Sequence, residues 1–213
     1  GTVSAGQAGF AQMDTVLGAD DGDTVTGQSI TLLGNDIALG AASFVADQDV
    51  YIAGLMDADG NLTAAGTAQI AGQIIAQNGN VFMGLDQGTI SGAVDAQAGN
   101  VTVLGQDLVV DGTLNAAENT YVLGQNSAAV NGTLTAGKEL GLFAKAVTNN
   151  GTLTAGQDVF LGGAIVDNKP VAAQTIVNDG AILAQTGNVA VAVGEFNATG
   201  SISANQGDIW IDG

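Results

Sequence analysis

The 213-residue chain has no cysteine, no histidine and no arginine, and its single proline is Pro170. Without cysteine there is no disulfide or thiolate metal site, and without histidine no imidazole base. Cys/His nucleophilic catalysis and every triad that needs an imidazole are therefore excluded. Three lysines stand against 21 acidic residues, a formal net charge of −18. That rules out nucleic-acid binding through a basic face. No run approaches the roughly eighteen uninterrupted apolar residues of a membrane span, because Gly, Asn, Asp or Gln recurs every few positions. The chain opens at Gly1 without a basic region leading into an apolar run, so a secretion signal is expected to be removed or to lie outside this sequence. What is present is apolar residues at 46%, too many for a disordered acidic tail, and 33 glycines. With one proline, turns fall to Gly, Asn and Asp. An acidic, Thr/Asn/Gly-rich, arginine-free composition points to an extracellular or bacterial cell-surface location.

Self-similarity dominates the chain. Gly72, Gly92, Gly112, Gly132, Gly151, Gly180 and Gly200 head segments that read alike, at spacings of 20, 20, 20, 19, 29 and 20. Two positions after each stands an apolar residue (Ile74, Val94, Leu114, Leu134, Leu153, Ile182, Ile202), and four positions after each an alanine, from Ala76 to Ala204. A second, alternating pair follows a Gly/Asn/Asp turn: Val81 and Met83, Val101 and Val103, Tyr121 and Leu123, Leu140 and Leu142, Val159 and Leu161, Val189 and Val191, Ile209 and Ile211. Period-two alternation predicts strands. A third short piece, marked by Ile90, Val109, Val130, Val147, Ile176 and Phe196, precedes the next leading glycine.

Three strands this short cannot close a core alone. Stacking one coil on the next pairs each strand with its equivalents above and below, which predicts an all-β chain forming a single parallel β-helix (β-solenoid) of about ten coils over 1–213. Residues 72–213 form the regular coils. Residues 1–71 are less regular: Val25, Phe44, Val50 and Ile52 fit the pattern, while the step from Gly54 to Gly72 is short. The alanine column predicts a tight corner, and Asn residues in the turns are placed to hydrogen-bond along the axis. The 29-residue step predicts a surface loop of about nine extra residues over 167–175.

The phrases NGTLTAGKELGLFA (131–144) and NGTLTAGQDVFLGG (150–163) resemble the shaft repeats of filamentous-haemagglutinin-like exoproteins of bacterial two-partner secretion. The resemblance covers 72–213 and rests on a grammar of Gly-Thr-Leu, Ala and Gly-Asx turns that other bacterial β-solenoids share. It implies a right-handed β-helical rod on the cell surface.

Candidate sites are sparse. Asp20, Asp21 and Asp23, and Asp57, Asp59 and Asn61, have the carboxylate density calcium favours; solvated acidic turns are the competing reading, since no bidentate Glu follows at EF-hand spacing. No other cofactor is expected. Tyr51, Phe82, Phe160 and Trp210 fall outward on one face, interrupted by Thr102, Gly141 and Ala190, and form a candidate contact stripe. Asp167, Asn168, Lys169 and Pro170 lie in the predicted loop and are candidates for recognition. Thr133, Thr135, Thr152 and Thr154 form a hydroxyl grid too small for an ice-binding plane. Asp95, Asp111 and Asp158 fall on different faces, which argues against polysaccharide cleavage by a carboxylate pair.

Neither terminus carries an amphipathic capping helix, and the last strand, with Trp210 and Ile211, is apolar to its finish. The expected partners are therefore further coils of the same or neighbouring chains, with host-cell or matrix components possible at the surface. The expected role is a non-catalytic shaft segment of a surface or secreted adhesin. The alternative is a self-assembling subunit of an extracellular filament or biofilm-matrix fibre; a polysaccharide-acting enzyme is a distant third.

Overall fold

A computed structural model describes the backbone of residues 2–5, 9–12, 23–54, 63–163, 165–166 and 169–213, and the side chains of 23–54, 63–163 and 171–213. Among these residues every regular element is a β-strand and no helix occurs. The strands stack in parallel as a β-solenoid, ten deep on its first face, from Thr2–Ala5 to Ser201–Ala204. Nine steps of one parallel-strand spacing make a rod roughly 43 Å long.

Each coil has three faces. In the coil beginning at Thr133, face 1 is Thr133–Ala136, face 2 is Leu140–Phe143 and face 3 is Ala146–Asn149. In other coils one long strand covers faces 2 and 3 together, as in Val81–Ile90, Val101–Val110, Thr120–Val130 and Val189–Ala198. These long strands fuse the two faces into one sheet of 14 strands.

Face 1 follows the sequence pattern. Phe44, Ile74, Val94, Leu114, Leu134, Leu153 and Ile182 stack inward, and so do Ala46, Ala76, Ala96, Ala116, Ala136, Ala155 and Ala184, none more than 3% exposed. The leading glycines stack too. A methyl group on Gly112 would lie against the Gly92 carbonyl oxygen, and one on Gly132 against that of Gly112, so the turn into face 1 brings backbone against backbone. Each fully buried aliphatic side chain contributes about 1.5 to 3 kcal/mol.

Faces 2 and 3 depart from the expected assignments in two coils. Thr120 and Val122, not Tyr121 and Leu123, are the buried pair, aligned with Val101 and Val103 on one side and with Leu140 and Leu142 on the other. Val110, not Val109, points inward, between Ile90 and Val130. The turn before Thr120 is one residue shorter than its predecessor, and a bulge between Gly124 and Ser127 restores the count. A one-residue slip exchanges every inward and outward side chain of a strand. Thr120 is accommodated in the core because its hydroxyl donates to the Thr135 carbonyl oxygen at 2.8 Å.

The amino-terminal coils are in register. Val25, Phe44 and Ile74 align on face 1, and Val50 and Ile52 on face 2. The step expected to be short is long: Ser43 pairs with Gln73, thirty residues on, the extra length following Ala53. The later insertion also differs in extent. Ala173 and Thr175 belong to the face 3 strand Ala173–Asn178, so the extra residues are 163–172. There Ile165–Val166 pairs antiparallel with Lys169–Pro170.

In face 3 the column of Leu39, Ile70, Ile90, Val110 and Val130 continues as Asn149 and Asn178, both fully buried. Asn149 Nδ2 donates to Asn178 Oδ1 at 2.7 Å, and the Gly151 amide donates to Asn149 Oδ1 at 3.2 Å. Among the described residues, no buried side-chain polar atom is without a hydrogen-bond partner.

Candidate functional site

Two surface features extend over many coils of the stack: asparagine ladders at the turns, and an apolar track on the outer side of face 2. The first ladder lies between faces 1 and 2. Asp49 Oδ1 accepts the Asn80 amide at 2.8 Å and the Asn80 side-chain NH2 at 3.1 Å. Asn80 Oδ1 accepts both groups of Asn100, Asn100 Oδ1 accepts both groups of Asn119, and Asn119 Oδ1 accepts the Glu139 amide at 3.0 Å. The ladder restarts at Asp158, which accepts both groups of Asn188, and Asn188 accepts the Asp208 amide. A second ladder before the leading glycines runs from Asp111 to Asn131 to Asn150. The axial bonding expected for the turn asparagines is present.

The candidate stripe lies in one register column. From Tyr51 it runs through Phe82, Thr102, Tyr121, Gly141, Phe160, Ala190 and Trp210. The four aromatics named from sequence are all in it, Tyr121 is a fifth, and the backbone register places Phe10, through Thr31, in the same column. Tyr121 was legible from the ladder: Phe82, Thr102, Tyr121, Gly141, Phe160, Ala190 and Trp210 each lie two residues after a ladder residue. Counting from the leading glycine missed it because this coil's turn is a residue short.

Beside this column runs a second one of outward small and apolar residues, Gly84, Leu104, Leu123, Phe143 and Gly162. The two columns meet where the long strands pass from face 2 to face 3, and there they floor a cleft of about 530 Å³. Its floor is Phe82, Gly84, Leu104, Leu123 and Phe143, and Asp86, Gln106 and Gln125 add polar groups at its side. Gln106 Nε2 donates to Asp86 Oδ1 at 2.9 Å. A smaller hollow continues the line past Phe160, Ala190 and Trp210 to Asp212.

Small residues in the track let rings lie down on the sheet. A methyl group on Gly141 would lie 2.6 Å from Tyr121 Cδ1 and would also meet the Phe143 ring, so both rings cover the glycine. The Tyr121 hydroxyl donates to Glu139 Oε2 at 2.8 Å, one coil further on, which holds the ring along the axis. Burial, this hydrogen bond and the Glu139 charge push the Tyr121 phenol up to about 12. Tyr51 and Phe82 form a tilted pair with ring centroids 6.4 Å apart. Tyr51 and Trp210 are 37% and 55% exposed.

The other sequence candidates do not converge. Asp20, Asp21, Asp57, Asp59, Asn61, Asp167 and Asn168 lie outside the described residues. Asp23 precedes a face 1 strand, and its carbonyl oxygen accepts the Ser43 amide. Lys169 and Pro170 form one strand of the inserted hairpin. Among the described residues no group of three or more carboxylates is arranged to hold a metal ion. Asp95 stands outward on face 1, accepting from Asn115 Nδ2 at 2.6 Å, while Asp111 and Asp158 head separate ladders. The threonine grid comprises Thr113, Thr133 and Thr152 in one column and Thr135 with Thr154 in the next, and ends there. Lys138 pairs with Glu118. Comparison of the chain with protein-family models, with curated proteins and with solved structures gives no match.

Proposed function

We propose that the chain is a non-catalytic shaft segment of a filamentous-haemagglutinin-like bacterial adhesin, surface-exposed or secreted. The observation that supports this reading is the parallel stack, in which successive coils among the described residues are hydrogen-bonded strand to strand, with the turn ladders adding side-chain bonds between several of them. A polypeptide wound this way advances one strand spacing for every 19 to 30 residues and holds the regions on either side of it at a fixed separation. Among the described residues Asp86 is the one carboxylate lining the cleft, with no second acid beside it, which favours a mechanical role over cleavage of a polymer by a carboxylate pair.

Electron microscopy of the purified chain with sedimentation at rising concentration tests the reading. Monomeric rods of constant length are expected. Fibres lengthening with concentration would overturn it in favour of a self-assembling filament subunit. New reducing ends or unsaturated products on incubation with polysaccharides would overturn both.

A further inference from the structure

From Phe82 onward the aromatic column has a period of its own. Phe82, Tyr121, Phe160 and Trp210 recur on every second coil, with Thr102, Gly141 and Ala190 between them, while Tyr51, on the coil beside Phe82, stands outside this period. Two parallel-strand spacings amount to about 10 Å, and the four rings therefore span about 29 Å along the stack. An extended β-1,4-linked glucan repeats every two sugars over that same length and presents its C–H faces to one side. Aromatic rings that lie down on a surface stack on such faces. Here they can lie down: Tyr121 is held over Gly141 by its bond to Glu139, and the Phe82 ring reaches along its strand to Gly84.

Charge selects among occupants. The polar groups beside the track include the carboxylates of Asp86, Glu139 and Asp212, the amides of Gln106 and Gln125 and the hydroxyl-bearing Thr63, and among the described residues no lysine lines either hollow. An anionic polymer is repelled by these carboxylates and by the net charge of −18, and so is a second copy of the chain laid side by side. An uncharged polyol meets no such repulsion, and its hydroxyls can donate to Asp86 and Asp212 and exchange hydrogen bonds with the glutamine amides.

We propose that the face 2 track binds an extended, uncharged β-1,4-linked glucan chain, one disaccharide per aromatic step. This goes beyond the shaft reading and does not depend on it. Trp210, the single tryptophan, reports directly on occupancy at one end of the track. Titrating the chain with cellohexaose, followed by Trp210 fluorescence and by calorimetry, is expected to give a saturable shift, with laminarihexaose, its β-1,3-linked counterpart, binding far more weakly. Phe160→Ala and Trp210→Ala should each weaken cellohexaose binding in calorimetry by about fivefold to tenfold. Far-UV circular dichroism establishes that each variant is folded, and Trp210, being largely exposed, is the safer of the two. Absence of a saturable signal with cellohexaose, equal binding of laminarihexaose, or unchanged affinity in the folded Trp210→Ala variant would overturn the proposal.

Discussion

A methyl group is the largest side chain that the face 1 corner accepts in the seven coils from Ala46 to Ala184, where the inward position is alanine throughout and buried to 3% or less. Ala136→Val forces two extra carbons into that column and should lower stability by about 1 to 3 kcal/mol. Thr135→Val, one residue away but facing outward, serves as the control and should change thermal stability little. Equal effects would mean that the corner is less tightly packed than its burial implies. Tyr121 gives a second residue-level outcome. Its phenol is raised to about 12 in the folded chain, above the ordinary value of about 10, so folding favours the protonated form. The contribution of this group is complete below pH about 10 and is lost as pH rises through about 12. Phenolate absorbance should show a step near pH 12, and Glu139→Gln should move that step downward by removing the neighbouring charge.

At the level of the coil, the inserted residues 163–172 account for the whole difference in step length. Thr152 and Ala181 are 29 residues apart, whereas Thr133 and Thr152 are 19 apart, and removing those ten residues makes the steps equal. Such a deletion leaves Ala173 and Gln174 between faces 2 and 3, where Ala144 and Lys145 stand one coil before. The deletion variant should keep its strand spectrum and melt within a few degrees of the parent, because loops outside the stack are tolerated. A collapse of the β signal would show that the hairpin supports the coil. The insertion and the three-strand coil were both legible in the sequence, since inward residues must recur where columns must be filled. The boundary of the insertion was not, because Ala173 and Thr175 read as loop until Thr175 is seen paired with Ala146. The fifth ring of the track, readable from the ladder spacing, is missed by counting from the leading glycines for a related reason. The short turn before Thr120 and the bulge after Gly124 cancel over the coil, so the 20-residue step from Gly112 to Gly132 betrays neither. The cleft itself was out of reach, since it arises where long strands bend between two faces, and a bend leaves no fixed residue signature.

Over the whole molecule, stacking imposes an electrostatic cost that compact folds avoid. Equivalent positions on successive coils sit about 4.8 Å apart, so a conserved-register acidic position would line up carboxylates well inside the Debye length of about 10 Å at 0.1 M salt. The ladders interrupt this over most of their length: Asp49 is followed by Asn80, Asn100 and Asn119, and Asp111 by Asn131 and Asn150 before Asp179, whereas Glu139 and Asp158 do fall on successive coils, and there the first ladder breaks and restarts. Asparagine keeps the acceptor that continues the ladder and supplies the NH2 donor that a carboxylate lacks. The remaining net charge of −18 still opposes compaction, so the melting temperature should rise as sodium chloride is raised from low ionic strength. Asn131→Asp sharpens the test. It places a carboxylate directly beside Asp111 and removes the Nδ2 donor to Asp111 Oδ1. At low salt the variant should be destabilised by about 1 to 2 kcal/mol, from repulsion and from the lost hydrogen bond together. High salt screens the first contribution and leaves the second, so the gap to the parent should narrow without closing. A gap independent of salt would assign the whole effect to the hydrogen bond and remove charge dilution as the reason for asparagine in these columns.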